Sequence, residues 1–375
     1  MKPLRHLAFV LEDFALQTPA QQLLDRFLFG YRRNGAFHKP DGIRCSVSLA
    51  PVGGEGGVRG QPSADAATLL QQRTTEADLQ LADLPAAVRD ADAVLVIPRA
   101  DSATPASANL TAALTHAKRG ATCFVFGALS ENLAAARTFA TLAAARQITL
   151  AAGTFLPVTW RLPQVDLPAN APVDESLIVV QGPSPLAELH ALDGLLPVLA
   201  RRAGGERGVR RMKFLSGREL WRAADRREWS WGLLSAALSR SDSPQGDTLV
   251  DGRTQDLVGL GQVPKLATNP RGWLLEHTDG VRTTLLALDG VVADYNFAVR
   301  LRDGSEVSAQ LFRAPVPAQE HYSQLAAALE DFFRTGQPPG PASRALLTAG
   351  LLGACRQAAS QPGTWLATPE LATAK

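Results

Sequence analysis

The stretch AVLVIPRADSATPASANLTAALTHAKRGATCFVF, residues 93–126, decides the fold. AVLVI and TCFVF are continuous apolar runs of strand length. A strand that is apolar on both faces belongs in a sheet covered on both sides. Between them Thr104-Pro105 opens a helix, since proline at the first helical position loses no hydrogen bond. Lys118 and Arg119 fall in its last turn and Gly120 stops it. Two buried strands joined by a helix read as a parallel crossover unit.

Working outward, HLAFVL at 6–11 is a further strand, followed by Thr18-Pro19 and a helix carrying Leu23, Leu24, Phe27 and Leu28. IRCSVSL at 43–49 alternates as a strand, 68–80 reads as a helix, 131–146 as a helix and 148–151 as a strand. The expected fold class is therefore α/β, with an N-terminal Rossmann-like doubly wound parallel sheet over residues 1–153. The character changes after Gly153. Residues 154–172 are proline-rich and read as a connection. SLIVVQ at 176–181 is a strand, and Ser184-Pro185 opens a helix that Pro197 should kink or end. Strands at 212–215, 273–277, 283–288 and 296–301, separated by tight turns, predict a C-terminal α+β domain with a mostly antiparallel sheet over 154–316. Two closing helices, within 318–375, are expected to pack back on the first domain. Trp221, Trp229 and Trp231 read as packing around a helix start.

Composition narrows the classes. The 375 residues fit two domains, and 38 Lys+Arg against 36 Asp+Glu give a net charge of +2. That balance argues against nucleic acid or an anionic membrane as the main partner. No apolar run approaches the roughly 20 residues that span a bilayer. The apolar stretch at 7–11 ends at Glu12-Asp13, too short for a signal segment. Cys45, Cys123 and Cys355 are scattered and odd in number, so buried free thiols in a reducing cytoplasm are expected. Metal motifs such as H-E-x-x-H are absent and no metal is expected. There is also no G-x-S-x-G elbow and no P-loop.

The second half carries a family pattern. HALD at 190–193, on the helix after SLIVVQ, resembles the H-x-x-D helix of the Gfo/Idh/MocA oxidoreductases, the glucose–fructose oxidoreductase and inositol dehydrogenase superfamily. The segment TCFVFGALSENLAAARTFATLAAARQITLAAG and the closing HYSQLAAALEDFFRTGQPPG run resemble that family in order. The chain looks closest to an uncharacterised branch with LPVTWR (156–161) and WSWGLLSAALSRSDSPQGDTLVDGRTQDLV (229–258). The resemblance implies an oxidoreductase acting on a sugar or polyol with NAD or NADP, and a homodimer or higher homo-oligomer formed through the open sheet face. It implies His190 as acid/base, with Asp193 beside it.

The pattern departs from the family in three places. The G-x-G-x-x-G turn after the first strand is replaced by LEDFALQTPA, residues 11–20, which hold none of the 31 glycines. The lysine of the family's E-K-P motif corresponds to Ala128. Five glycines do cluster at 53–60, but after the second strand. Any cofactor contacts would then fall to Leu11, Pro98 and Arg99 at strand ends. These departures leave a second reading open: a cofactor-free carbohydrate-binding protein, or a non-redox lyase or isomerase using the His190/Asp193 face.

His190 and Asp193 are three residues apart and share a helix face. Arg161 could grip an anionic group and Trp160 could stack on a sugar ring. Arg253 and Asp256, on a polar loop at 240–256, and His277, in a strand, complete the candidate substrate contacts. His38 and His321 read as surface or capping residues.

Overall fold

A computed structural model of the chain describes residues 4–50, 65–243 and 256–372. The glycine-rich stretch at 53–60 and Arg253 lie outside the described residues. The chain divides into two compact units, Met1–Val158 with Ala314–Ala349, and Thr159–Arg313 with Gly350–Lys375.

The first unit runs β1 (His6–Leu11), α1 (Pro19–Phe29), β2 (Tyr31–Arg33), β3 (Ala36–His38), β4 (Arg44–Leu49), α2 (Ala66–Glu76), β5 (Leu79–Leu81), α3 (Leu84–Val88), β6 (Ala93–Ile97), α4 (Ser107–His116), β7 (Thr122–Phe126), α5 (Leu133–Ala145) and β8 (Thr149–Gly153). Six strands form one parallel sheet in the order β5-β4-β1-β6-β7-β8. Strand order reverses between β1 and β6, the switch point at which doubly wound sheets open a crevice beyond their carboxyl ends. AVLVI and TCFVF are buried throughout, as their apolar character requires. On one face Val10, Val94, Val96 and Val125 pack with Leu110, Leu114, Ala136 and Phe139 of the crossover helices.

The second unit runs β9 (Arg161–Leu162), β10 (Val173–Val180), α6 (Ala187–Leu199), β11 (Val209–Ser216), α7 (Gly217–Asp225), α8 (Trp231–Leu238), α9 (Val263–Leu266), β12 (Thr268–His277), β13 (Arg282–Asp289), β14 (Tyr295–Leu301) and β15 (Glu306–Leu311). The chain closes with α10 (His321–Thr335) of the first unit, α11 (Ala342–Ala359), β16 (Trp365–Ala367) and α12 (Pro369–Ala372). Its eight-stranded sheet has the order β16-β11-β12-β13-β10-β14-β15-β9 and is antiparallel except for β10 beside β13. The class is α/β with the two sheet types expected.

Several elements differ from the sequence reading. The helix over 68–80 ends at Glu76, and Leu79–Leu81 joins the sheet edge as β5. Pro197 lies inside α6 without ending it. It sits in the last turn, where the only bond it removes is the one Asp193's carbonyl would have accepted. The end of the chain was expected on the first unit. Instead β16 pairs with β11, and Trp365 lies under Arg211 and Lys213 at 4.5 and 5.0 Å. An edge strand's unpaired backbone groups and two cations over an aromatic face favour that pairing.

One face of the second sheet is covered by α7 and α8. Trp221, Trp229 and Trp231 cluster there, with Trp221 and Trp231 stacked at 5.6 Å and Trp229 Nε1 donating to the Leu220 carbonyl at 2.9 Å. These tryptophans are packing, as expected. α6 lies on the opposite face, since its partner Tyr295 alternates with Ala298 of the α7/α8 core along β14. Cys45, Cys123 and Cys355 are buried and free, and burial pushes the Cys45 and Cys123 thiols up to about 12. No helix among the described residues is long and apolar enough to cross a membrane.

Candidate functional site

The switch point of the first unit is built around Glu12, the residue after β1. Its N–H donates to the Ile97 carbonyl at 3.1 Å, which carries β1's pairing with β6 one residue further. Its carboxylate accepts from the Ala106 N–H at 2.5 Å, from Asn109 Nδ2 at 3.0 Å and from the Arg99 backbone. The side chain therefore caps the N-terminus of α4, where an anion meets unpaired N–H groups and the positive end of the helix dipole. Glu12 is 1% exposed. Burial pushes its carboxyl above the usual range, and the three donors partly offset that.

The cavity here measures about 460 Å³ and is lined, among the described residues, by Glu12, Asp101 and Glu131 against a single cation, Arg99. Arg99 is engaged by Asp101 at 3.2 Å. Leu11 is buried in the strand and Pro98 is buried beside Arg99. In the turn from β1 to α1, Phe14 is buried, Thr18 donates its hydroxyl to the Ala15 carbonyl, and Pro19 supplies no N–H to the helix start. A dinucleotide's pyrophosphate needs close backbone approach and free N–H groups at that helix. Side chains fill the turn and a carboxylate already holds the neighbouring helix N-terminus, so these residues do not fit it. Ala128, at the lysine position, is buried and ties its N–H to the Ala103 carbonyl at 2.8 Å.

The second unit gathers the other candidates on the α6 face of its sheet. α6 forms because Ala187, Leu189, Ala191, Leu192, Leu195, Leu196 and Val198 bury an apolar surface against β10, β13 and β14. His190 sits one turn in, partly open to solvent, and Asp193 is buried one turn further. His190 Nδ1 lies 3.3 Å from the Tyr295 hydroxyl, with the rings edge to face at 5.1 Å. Burial, then the charge of Arg313, pushes the imidazole down to about 3. Burial raises the Tyr295 phenol, while Arg313, hydrogen-bonded to it, pulls the other way. Tyr295 and Arg313 were not singled out in the sequence. Tyr295's place in an alternating strand was legible, but nothing in its neighbourhood marked it as facing His190.

Register places Arg161 near this group. Asn296 pairs with Gln310 and Leu311 with Arg161, so Tyr295, Leu311 and Arg161 fall in one row across three strands. Arg161 is thus on the same face as Tyr295, about 10 Å away along the row. It is ion-paired with Asp166, and burial, then Arg201, lowers its pKa. Trp160 alternates to the other face, 41% exposed and 6.3 Å from the Phe312 ring.

The remaining candidates do not join. His277 is 1% exposed, with Nε2 against Thr283 at 2.9 Å and Nδ1 against Arg202 at 3.2 Å. Both nitrogens are occupied, and burial pushes it down to about 3. It is a satisfied core histidine, not an open substrate contact. Asp256 accepts from the Gly259 N–H at 2.8 Å and closes a turn. His321 is buried against Phe155 at 4.3 Å rather than at the surface, and His38 bonds Glu330 at 2.7 Å. No cluster able to hold a metal occurs among the described residues.

No protein-family model matches the sequence, and no curated protein matches it. Solved structures do match along almost the whole chain. A probable dehydrogenase from Thermotoga maritima is 12% identical, covers 98% of this chain and 99% of its own, and superposes with a TM-score of 0.56. The myo-inositol 2-dehydrogenase of Lactobacillus plantarum is 10% identical over 98% and 99%, with a TM-score of 0.58. The myo-inositol dehydrogenase of Lactobacillus casei, described in complex with NAD(H) and myo-inositol, is 12% identical over 96% of each chain, with a TM-score of 0.55. The chain shares the fold of these dehydrogenases.

Proposed function

We propose that this chain binds a sugar or polyol on the α6 face of its second unit, through His190, Tyr295 and Arg313, without a nicotinamide dinucleotide at the switch point of its first unit. The observation that carries this is the His190–Tyr295 contact beside a charged Arg313. The imidazole stays neutral at neutral pH, so it offers one donor and one acceptor. Tyr295 offers a hydroxyl and Arg313 a planar fork of donors. Neighbouring hydroxyls on a carbon ring present matching donors and acceptors. A base pushed so low suits hydrogen bonding better than proton abstraction, which works best near the operating pH. Asp193 and Arg161 would hold the helix and sheet edge around this group.

The second reading is redox chemistry with NAD or NADP held by other contacts. Its support is the near-complete coverage of dehydrogenases described with NAD(H) bound. Homo-oligomerisation would use the part of the second sheet that α7 and α8 leave uncovered, where Arg282 pairs with Glu175 and Arg300 with Glu306. Light scattering reads that directly.

Calorimetric titration with myo-inositol, glucose, NAD(H) and NADP(H) tests the proposal. Saturable binding of a polyol, weakened about tenfold by Tyr295→Phe, is the expected result. Micromolar binding of a nicotinamide dinucleotide would overturn the cofactor-free part. Equal polyol affinity in Tyr295→Phe and His190→Ala would remove the site.

A further inference from the structure

We propose that the N-terminal end of the first unit's parallel sheet holds a binding site for a phosphate ester of a small organic molecule. A cavity of about 730 Å³ opens there, at the opposite end of the sheet from Glu12. Its walls come from residues just before the strands and just after the helices. Arg5 precedes β1, Asp92 precedes β6, Lys118 and Arg119 follow α4, Thr122 begins β7, and Arg334 ends α10. Four cations therefore face one carboxylate.

Helix C-termini attract cations, and that accounts for part of the crowding. It does not account for the pairing. Lys118 is matched by Asp92 at 2.9 Å, and Arg334 by Glu330 at 2.9 Å. Arg5 forms no side-chain bond or ion pair among the described residues. Arg119 reaches only the Ala145 carbonyl, at 3.3 Å. Among the described residues, two guanidinium groups without an acid thus flank one cavity. Guanidinium forks match phosphate oxygens two by two, which an ammonium or a hydroxyl cannot do. In the same wall Thr122, 7% exposed, buries a hydroxyl that has no hydrogen-bond partner among the described residues. Buried hydroxyls are ordinarily satisfied, and rotation about χ1 toward the cavity would give this one the partner it lacks.

The size of the cavity separates a small molecule from a lone ion. Pockets of about 300–1,000 Å³ take metabolite-sized ligands. Phe333 supplies an apolar wall on the α10 side for the organic part. Backbone N–H groups do not form the cradle: those of Gly120, Ala121, Thr122 and Thr149 are all spent on protein carbonyls. Recognition would be by side chains, and so sensitive to their removal. This site does not depend on the polyol reading of the second unit.

The full-length protein titrated at constant ionic strength tests it, with glucose 6-phosphate, inorganic phosphate and glucose as probes. Glucose 6-phosphate is expected to bind saturably and more tightly than inorganic phosphate through this end, since only the ester fills the cavity. Arg5 and Arg119 are exposed, so the double variant Arg5→Gln/Arg119→Gln should fold and lose about tenfold or more in affinity for glucose 6-phosphate. Thr122→Val should weaken it by a smaller factor without lowering the melting point. Tyr295→Phe should leave it unchanged, which separates this site from the polyol site. Glucose 6-phosphate binding that stays tighter than that of glucose in the double variant, glucose binding that the double variant abolishes, or no saturable binding of either phosphate at millimolar concentration overturns the proposal.

Discussion

The two ends of the six-stranded sheet share the same strands and differ in charge. At the carboxyl end Glu12, Asp101 and Glu131 surround Arg99; at the amino end Arg5, Lys118, Arg119 and Arg334 surround Asp92. Doubly wound sheets ordinarily take phosphates at the carboxyl end, because a glycine turn and a helix N-terminus meet there. Here a buried carboxylate has taken that helix N-terminus, and the two arginines of these crevices without an acid among the described residues, Arg5 and Arg119, are at the other end. The fold supplies two crevices, and the residues flanking the strands decide which one accepts an anion.

The largest expected effect breaks the acidic end. Glu12→Ala removes one acceptor from three donors around α4 and should cost about 3 kcal/mol in urea unfolding. A loss below about 1 kcal/mol would mean that water replaces the carboxylate and the crevice is more open than its geometry suggests.

Next comes pH, through two buried carboxylates of the first unit that move in opposite directions. Glu12 is pushed up, so its contribution is most favourable below its unfolded pKa and declines as pH rises through the folded one. Burial also works against ionised Glu330, but Tyr31, His38 and Arg334 outweigh it and hold that carboxyl below the usual range. Its contribution is full above the unfolded pKa and is lost as pH falls through the folded one. Melting points across about pH 3 to 8 should show Glu12→Gln flattening the decline with rising pH and Glu330→Gln removing the loss on acidification. Parallel profiles for the two variants would contradict the opposite shifts.

Smaller changes sharpen the comparison. Asp101→Asn combined with Glu131→Gln makes the carboxyl end less acidic, yet on the cofactor-free proposal NAD(H) should not bind this variant, because the glycine-free turn at 11–20 remains. Micromolar binding in that variant would show that charge alone had excluded the cofactor. At the basic end Thr122→Val should raise stability slightly, by about 0.5–1 kcal/mol, since it deletes a buried hydroxyl without a partner. A drop of that size would reveal a partner.

Much of the first unit was legible in the sequence. AVLVI and TCFVF became buried strands over the residues read, because a strand covered on both faces has only one simple composition. The hairpin β2–β3 was missed although Asn34-Gly35 announces it: both residues have positive φ, as the preferred two-residue hairpin turn requires. β5 was hidden because three residues at an edge, two of them exposed, carry no period of their own. In the candidate site His190 and Asp193 were legible from their spacing on one helix. Tyr295 and Arg313, about a hundred residues away in sequence, were not.

By itself the sequence determined that the first unit would be a doubly wound parallel sheet, that the glycine turn for a dinucleotide was missing, and that HALD would lie on one helix face. Those are local properties, set by period, side-chain type and spacing. Only the tertiary structure decided that Glu12 turns inward onto α4, that His277 is spent on the core while His190 meets Tyr295, and that, among the described residues, two arginines are left without an acid at the amino end of the sheet. Each depends on which distant residue supplies the partner. Burial and pairing, rather than residue type, determine whether a charged or polar group is structural or available to a ligand.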